Sequence, residues 1–473
     1  MRVTKGTSVL AAVLMTALLA GCSNAPSSDD TSYPGATASG DAKPLAKLAV
    51  PPAYVGAKGW DELLPWVSEH ADPPVAVLPD VATVAVLTVG DAGGFAVRTR
   101  AADTGEVLWT SAVWNPPLPL EYADKEDIPT VLGVEQDGRR FVVVAAHGTV
   151  GKDDLHKGTE VVRLAVFDAA DGPITGRKPL REVDVPVMVK ADNDGWRVSA
   201  DGGRVLVAHG DHGRYPTWGA AVDLVSGKVT SYGHPAELLK QCEGKSLECG
   251  WSRVVAASSK GPLVGLGHGF GVPGAWFSDA VLPRGAARSY TFGFSDSWNG
   301  DVYGVAAGRF LAQWHGAENN DSDGPTVWSV HEVESGTVLA RMECGYEEFP
   351  TVTSQGNSRD YPVVISPSGR FLAAGPVAFD LERKQGVCLQ GEGNRKTIAV
   401  GAIADDGVAY GTTVDGDASD PVSVRLDLRT ATGDPKVLGA GIEIPQHTSV
   451  AGSGLFVTRD ENENVLVALR PLH

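Results

Sequence analysis

Residues 365–389, ISPSGRFLAAGPVAFDLERKQGVCL, read as turn, strand, turn, strand, turn, strand. Ser366-Pro367-Ser368-Gly369 forms a tight turn, because proline fixes φ and glycine supplies the position that needs φ > 0. A short apolar run follows and ends at Gly375. A second covers 377–381, and Gln385-Gly386 turns the chain into a third. The same unit recurs at 199–230, as SADGGRVLVAHG followed by AAVDLVSGKVT. A unit repeated within one chain calls for a repeat architecture before any other fold is considered.

Working outward, outer hairpins of this kind stand at 98–109 (RTRAADTGEVLW), 162–180, 220–230, 329–342 (SVHEVESGTVLARM), 378–389 and 423–438. A degenerate copy occupies 278–292, and 465–472 supplies one strand with no return. The spacing is about 50 residues, the length of one four-stranded propeller blade. The expected fold is therefore an all-β propeller over residues 45–473, with eight blades favoured over seven. Joining N- and C-terminal strands in one blade removes a sticky edge. The missing outer strand is expected from 47–56, KLAVPPAYVG, whereas 60–70, WDELLPWVSEH, has a helical flavour limited by Pro65.

The hairpins with Thr-Gly-x-Val turns, above all DTGEVLW at 103–109, resemble the repeats of PQQ-like and WD40-like β-propellers. The resemblance covers roughly 75–473 and implies architecture more than activity, since such propellers include dehydrogenases, assembly scaffolds and sensors. The quinoprotein members bind a quinone and a metal through residues with no identifiable counterparts here, so no cofactor is expected.

The N-terminus reads as an address. Arg2 and Lys5 precede an apolar run of 12 residues, 9–20. That is well short of the roughly 20 residues of a membrane-spanning helix. The run ends in Leu19-Ala20-Gly21-Cys22, which resembles the bacterial lipobox. The resemblance implies a signal peptide over 1–21, diacylation of Cys22, and attachment to the cell membrane on its extracytoplasmic side through lipid only. Residues 22–44 are rich in Ser, Ala, Gly, Pro and Asp and read as a flexible tether.

Beyond Cys22, four cysteines remain: Cys242, Cys249, Cys344 and Cys388. An even number in an exported chain suggests two disulfides, with three possible pairings. Cys242 and Cys249 flank a short polar segment, so a local bridge is the natural choice and Cys344 then pairs with Cys388. Neither pair has the CxxC spacing of a metal site. The balance of 40 Lys+Arg against 58 Asp+Glu, −18 in all, lacks the clustered positive charge that nucleic acid requires.

Four blades carry His-Gly where the second strand should end: His147, His209, His268 and His315. The segments that follow are long, and long loops on a rigid scaffold concentrate function. Each histidine can equally cap its strand on the neighbouring blade, since repeated positions usually repeat for structural reasons. Tyr215, Trp218, Trp276 and Phe277 in these loops are candidates to stack on a sugar or peptide, or to pack over the funnel. Asn319-x-Asp321-x-Asp323-Gly324 resembles the start of a calcium loop but has Val330 in place of the closing glutamate, so no metal is expected. No G-x-S-x-G elbow, H-E-x-x-H or complete phosphate loop occurs. The expected function is binding or scaffolding of a cell-envelope protein, peptide or glycan through the loop face of blades two to five. The alternative is a quinone-dependent oxidoreductase or a carbohydrate-active enzyme working in the central funnel.

Overall fold

Eight four-stranded antiparallel sheets follow one another along the chain. Blades 1 to 7 span residues 75–110, 130–186, 196–232, 253–277, 301–344, 364–388 and 397–440. Blade 8 combines His447–Val450, Ser453–Arg459 and Val465–Pro471 with an outermost strand from the N-terminus, Trp60–Leu64. The protein is an eight-bladed β-propeller. This computed structural model describes residues 45–473 except 70, 79–81, 91–92, 121–127, 171–173, 188–195, 202, 210–217, 234–237, 239, 241–252, 267, 293–294, 318–325, 346–351, 355–356, 360–361 and 415–420. Cys22, the signal and tether segments, Cys242, Cys249, Tyr215 and the calcium-like turn from Asn319 to Gly324 lie outside the described residues.

Blade 6 realises the opening stretch. Gly369 donates to the Ser366 carbonyl at φ +74°, and strands Phe371–Ala374, Val377–Asp380 and Gln385–Cys388 follow in order. Alternating faces of each blade meet the next blade, so the apolar core is divided into slabs between neighbours. One slab packs Val143, Leu164 and Val166 of blade 2 against Val205, Val207 and Val222 of blade 3. Strand alternation of this kind buries both faces of every sheet.

The outer hairpin turn explains the Thr-Gly signature. Gly105 donates to the Ala101 carbonyl at φ +73°, and a Cβ there would stand 2.5 Å from Cγ of Trp60, in the preceding blade's outer strand. Gly336 repeats the arrangement in blade 5: it donates to the Glu332 carbonyl, and a Cβ there would stand 2.6 Å from Val281 and 2.9 Å from the Trp276 indole of blade 4. Glycine meets two demands at once: a left-handed backbone and room for the neighbour's indole. The turn is thus also the socket that joins blade to blade.

Three expectations are corrected. The closing strand is Trp60–Leu64 and not 47–56: Trp60, Glu62 and Leu64 are buried in alternation with Asp61 and Leu63, which is strand periodicity. The 47–56 segment lies beside it, with Tyr54 bridged to Leu472 and its hydroxyl donating to the Thr448 carbonyl. In blade 4 the outer hairpin is Phe270–Val272 with Trp276–Phe277, ahead of the expected 278–292. Pro283, which has no N–H for a ladder, falls in the link to blade 5, and a separate hairpin, Ser289–Phe292 with Ser295–Trp298, completes that link. In blade 2 the return strand is Arg181–Pro186. The intervening residues cover the outer strand of blade 1, where Thr110 donates to the Ile174 carbonyl and the Arg177 guanidinium stacks on Trp109.

Cys344 and Cys388 form the expected disulfide, Cα to Cα 5.7 Å, and join the outer strands of blades 5 and 6. Ring closure is fixed by charge as well as by pairing. Glu62 is almost fully buried and receives Arg98 at 2.8 Å and Arg100 at 2.5 Å, both from blade 1. Arg470, with no exposure at all, lies 2.6 Å from Asp61 and donates to the Trp60 carbonyl. Buried charges hold only when paired in this way.

Candidate functional site: the loop face of blades 1 to 5

Blade-to-blade links and the turns from second to third strand open on the same side of a propeller, and the four histidines and Trp218 come from that side; Trp276 and Phe277, expected there, instead follow the turn between the third and fourth strands of blade 4, at the opposite end. The sequence at 147–160, expected as a loop, is strand. Arg139–Lys152 and Lys157–Asp168 pair as far as Lys152 with Lys157, well past the neighbouring strands Thr130–Gln136 and Arg181–Pro186. The hairpin therefore projects from the face, turning at Asp153–His156. The Asp153 carboxylate accepts the Leu155 and His156 amides and the His156 ring, which hold it below the usual carboxylate range. The link from blade 1 braces the projection through paired hydrogen bonds between Leu118 and Thr149.

His147 lies within this hairpin, opposite Val162. Its Nε2 is 2.9 Å from a Glu160 carboxylate oxygen, and its ring is 5.2 Å from that of Trp196. Trp196 meets Trp218 edge to face at 5.9 Å and is the register partner of His209. Two expected residues, His147 and Trp218, thus meet Trp196 at the junction of blades 2 and 3. Trp218 itself is only 5% exposed and belongs to the core slab between those blades.

The second pair of histidines meets at the junction of blades 4 and 5. His268 is nearly buried, and the following Gly269 donates to the Gly300 carbonyl. His315 ends its strand, Arg309–His315, and burial, reinforced by nearby His268, lowers its pKa. Asn299 caps the strand. The Asn299 amide donates to the Ala287 and His315 carbonyls and accepts from the His315 and Gly300 amides. Trp276 stacks on Phe310 with centroids 5.8 Å apart, and Phe277, 4% exposed, meets Trp298 edge to face. Among the described residues no three His, Cys, Asp or Glu side chains group closely enough to hold a metal ion.

Below these residues runs a buried polar chain in blade 5 that the sequence reading missed. The Trp314 indole donates to Ser329 Oγ at 2.7 Å, Ser329 meets His331 Nε2 at 2.7 Å, and His331 Nδ1 meets the Gly336 carbonyl at 2.8 Å. Since the carbonyl only accepts, the proton lies on Nδ1 and Ser329 donates to Nε2. Burial lowers the His331 pKa to about 4.

Exposed apolar side chains on the loop face were also missed. Leu155 at the hairpin tip is 89% exposed, Leu118 54%, and Val113 and Val89 47% each. Val113 lies against Gly90, next to Val89, and Leu118 lies against the hairpin. The available signal was Leu155 itself, a lone aliphatic residue within KDDLHK.

No family model and no curated protein matches the chain. Solved structures do resemble it. The WD40 domain of coronin from Toxoplasma gondii aligns over 90% of this chain and 89% of its own, at 10% identity and a TM-score of 0.32. Quinohemoprotein alcohol dehydrogenase from Comamonas testosteroni aligns over 87% and 76%, at 12% identity and a TM-score of 0.40. Hydrazine synthase from Kuenenia stuttgartiensis aligns over 84% and 96%, at 12% identity and a TM-score of 0.35.

Proposed function

We propose that this chain is a lipid-anchored, extracytoplasmic propeller that acts as a binding or scaffold module for a protein, peptide or glycan of the cell envelope. One observation carries the reading: the projecting hairpin of blade 2, the link beside it and the end of blade 1's second strand expose Leu155, Leu118, Val113 and Val89 on the loop face. Aliphatic side chains exposed together on a rigid face mark interaction surfaces. The hairpin is rigid: it pairs as far as Lys152 with Lys157 and is braced by Leu118 against Thr149, so little ordering entropy is lost on contact. The anchor rests on the lipobox-like Leu19-Ala20-Gly21-Cys22. The test compares wild type with Leu118→Asp/Leu155→Asp, both bearing the same purification tag, by cross-linking on intact cells and by thermal melts. Partners lost by the variant at an unchanged melt support the reading. Identical cross-linked species for both proteins refute it.

A further inference from the structure

The outermost strand of a blade has a ladder partner on one side only, and an open row of main-chain groups is a template for a further strand. The longest of these strands is Val338–Cys344 in blade 5, seven residues with neither proline nor glycine. Its register fixes which groups face outward. Val333 donates to the Gly308 carbonyl, so Val327, Ser329 and His331 turn their main chains toward Arg309–His315. Thr326, Trp328 and Val330 therefore bond the other way, to Cys344, Met342 and Ala340. The main-chain groups of Leu339, Arg341 and Glu343 point away from the sheet, and no described residue hydrogen-bonds to them.

The side chains of that row are charged and of both signs. Met342 and Cys344 are buried against blade 6, so Arg341 and Glu343 stand on the other face, 34% and 56% exposed and 3.0 Å apart. Two other edges are blunted. In blade 1, Thr110 and Ala112 already donate to the Ile174 and Arg177 carbonyls. In blade 2, Val187 donates to the Glu160 carbonyl, so the outward residues of Arg181–Pro186 are Glu182, Asp184 and Pro186. Two like charges and a residue without an N–H repel an added strand. The blade 5 edge instead complements itself. Antiparallel pairing with the same strand of a twofold-related copy, centred on Met342, sets Arg341 opposite the copy's Glu343 and Glu343 opposite its Arg341. All four are outward residues, so each pair exchanges two main-chain hydrogen bonds while opposite charges meet on one face. A twofold interface requires such a self-complementary surface. We propose that blade 5 docks edge to edge with a second copy of this chain, the two Val338–Cys344 strands joining their sheets into one of eight strands. The surface is separate from the apolar patch on blades 1 and 2, and it stands if that patch has no partner.

Sedimentation equilibrium tests this on the full chain bearing Cys22→Ser, which removes any lipid. Arg341→Glu sets glutamate against glutamate across the twofold, and Glu343→Arg sets arginine against arginine. Each variant should dimerise at least about tenfold more weakly than wild type while melting as wild type does. An equimolar mixture of the two restores opposite charges at both pairs and should associate as one-to-one dimers, more weakly as salt is raised. The proposal is overturned if wild type stays monomeric at about 0.1 mM, if either variant alone dimerises as wild type does, or if the mixture associates no better than its components.

Discussion

Trp314, Ser329 and His331 show how much one hydroxyl holds. Ser329→Ala would leave the Trp314 N–H and His331 Nε2 without partners in a fully buried site, at about 1–3 kcal/mol for each group. Denaturant unfolding should show a loss of that order with the midpoint lowered and the slope unchanged. His331 also makes stability depend on pH. Its folded pKa, about 4, lies below the ordinary value of 6.5, so folding favours the neutral ring. This contribution is complete above pH 6.5 and declines as pH falls from there toward 4, with a limit on the order of 3 kcal/mol. The difference in unfolding free energy between wild type and His331→Phe should therefore narrow between pH 7 and pH 4.5. A difference that stays constant would mean that His331 does not titrate on unfolding.

Among the elements, blade 6 is the slightest, with a two-residue inner strand, Val364–Ile365, and three strands of four residues. The Cys344–Cys388 bridge ties it to blade 5 and closes a loop of sequence separation 44, for which chain entropy gives on the order of 4 kcal/mol. Cys344→Ala should lower the melting temperature under oxidising conditions and leave it near the wild-type value once reductant is present. Most hairpins were legible in the sequence because they combine period-two apolar runs with turn glycines, as at Gly105, Gly227 and Gly336. Blade 4 was misplaced because its strands of three and two residues are too short to show a period. Trp60–Leu64 was misread because Asp-Glu-Leu-Leu has helix-forming residues, and only pairing with Val465–Pro471 makes it a strand. Of the site, the histidines and tryptophans were visible as a repeated pattern. Their burial was not, since it depends on which blade each side chain meets.

For the molecule as a whole, the ring depends on one strand borrowed from the other end of the chain. Removing residues 1–44 should leave the melting temperature unchanged, because the packed unit begins at Leu45. Removing 1–64 takes away Glu62 and Asp61, strands Arg470 as an unpaired buried charge and bares the edge of Val465–Pro471. Size-exclusion chromatography should then find aggregates, and a monomeric product with the full-length melt would contradict this account of closure. The arrangement also sets an order of events in time. Trp60 is made about 400 residues before its strand partner, Leu469. Blades 1 to 7 can assemble from neighbours in sequence as they appear, while Trp60–Leu64 waits unpaired until Val465–Pro471 is made. A chain interrupted before Val465 is therefore an open ring, with a hydrophobic edge at each side of the gap.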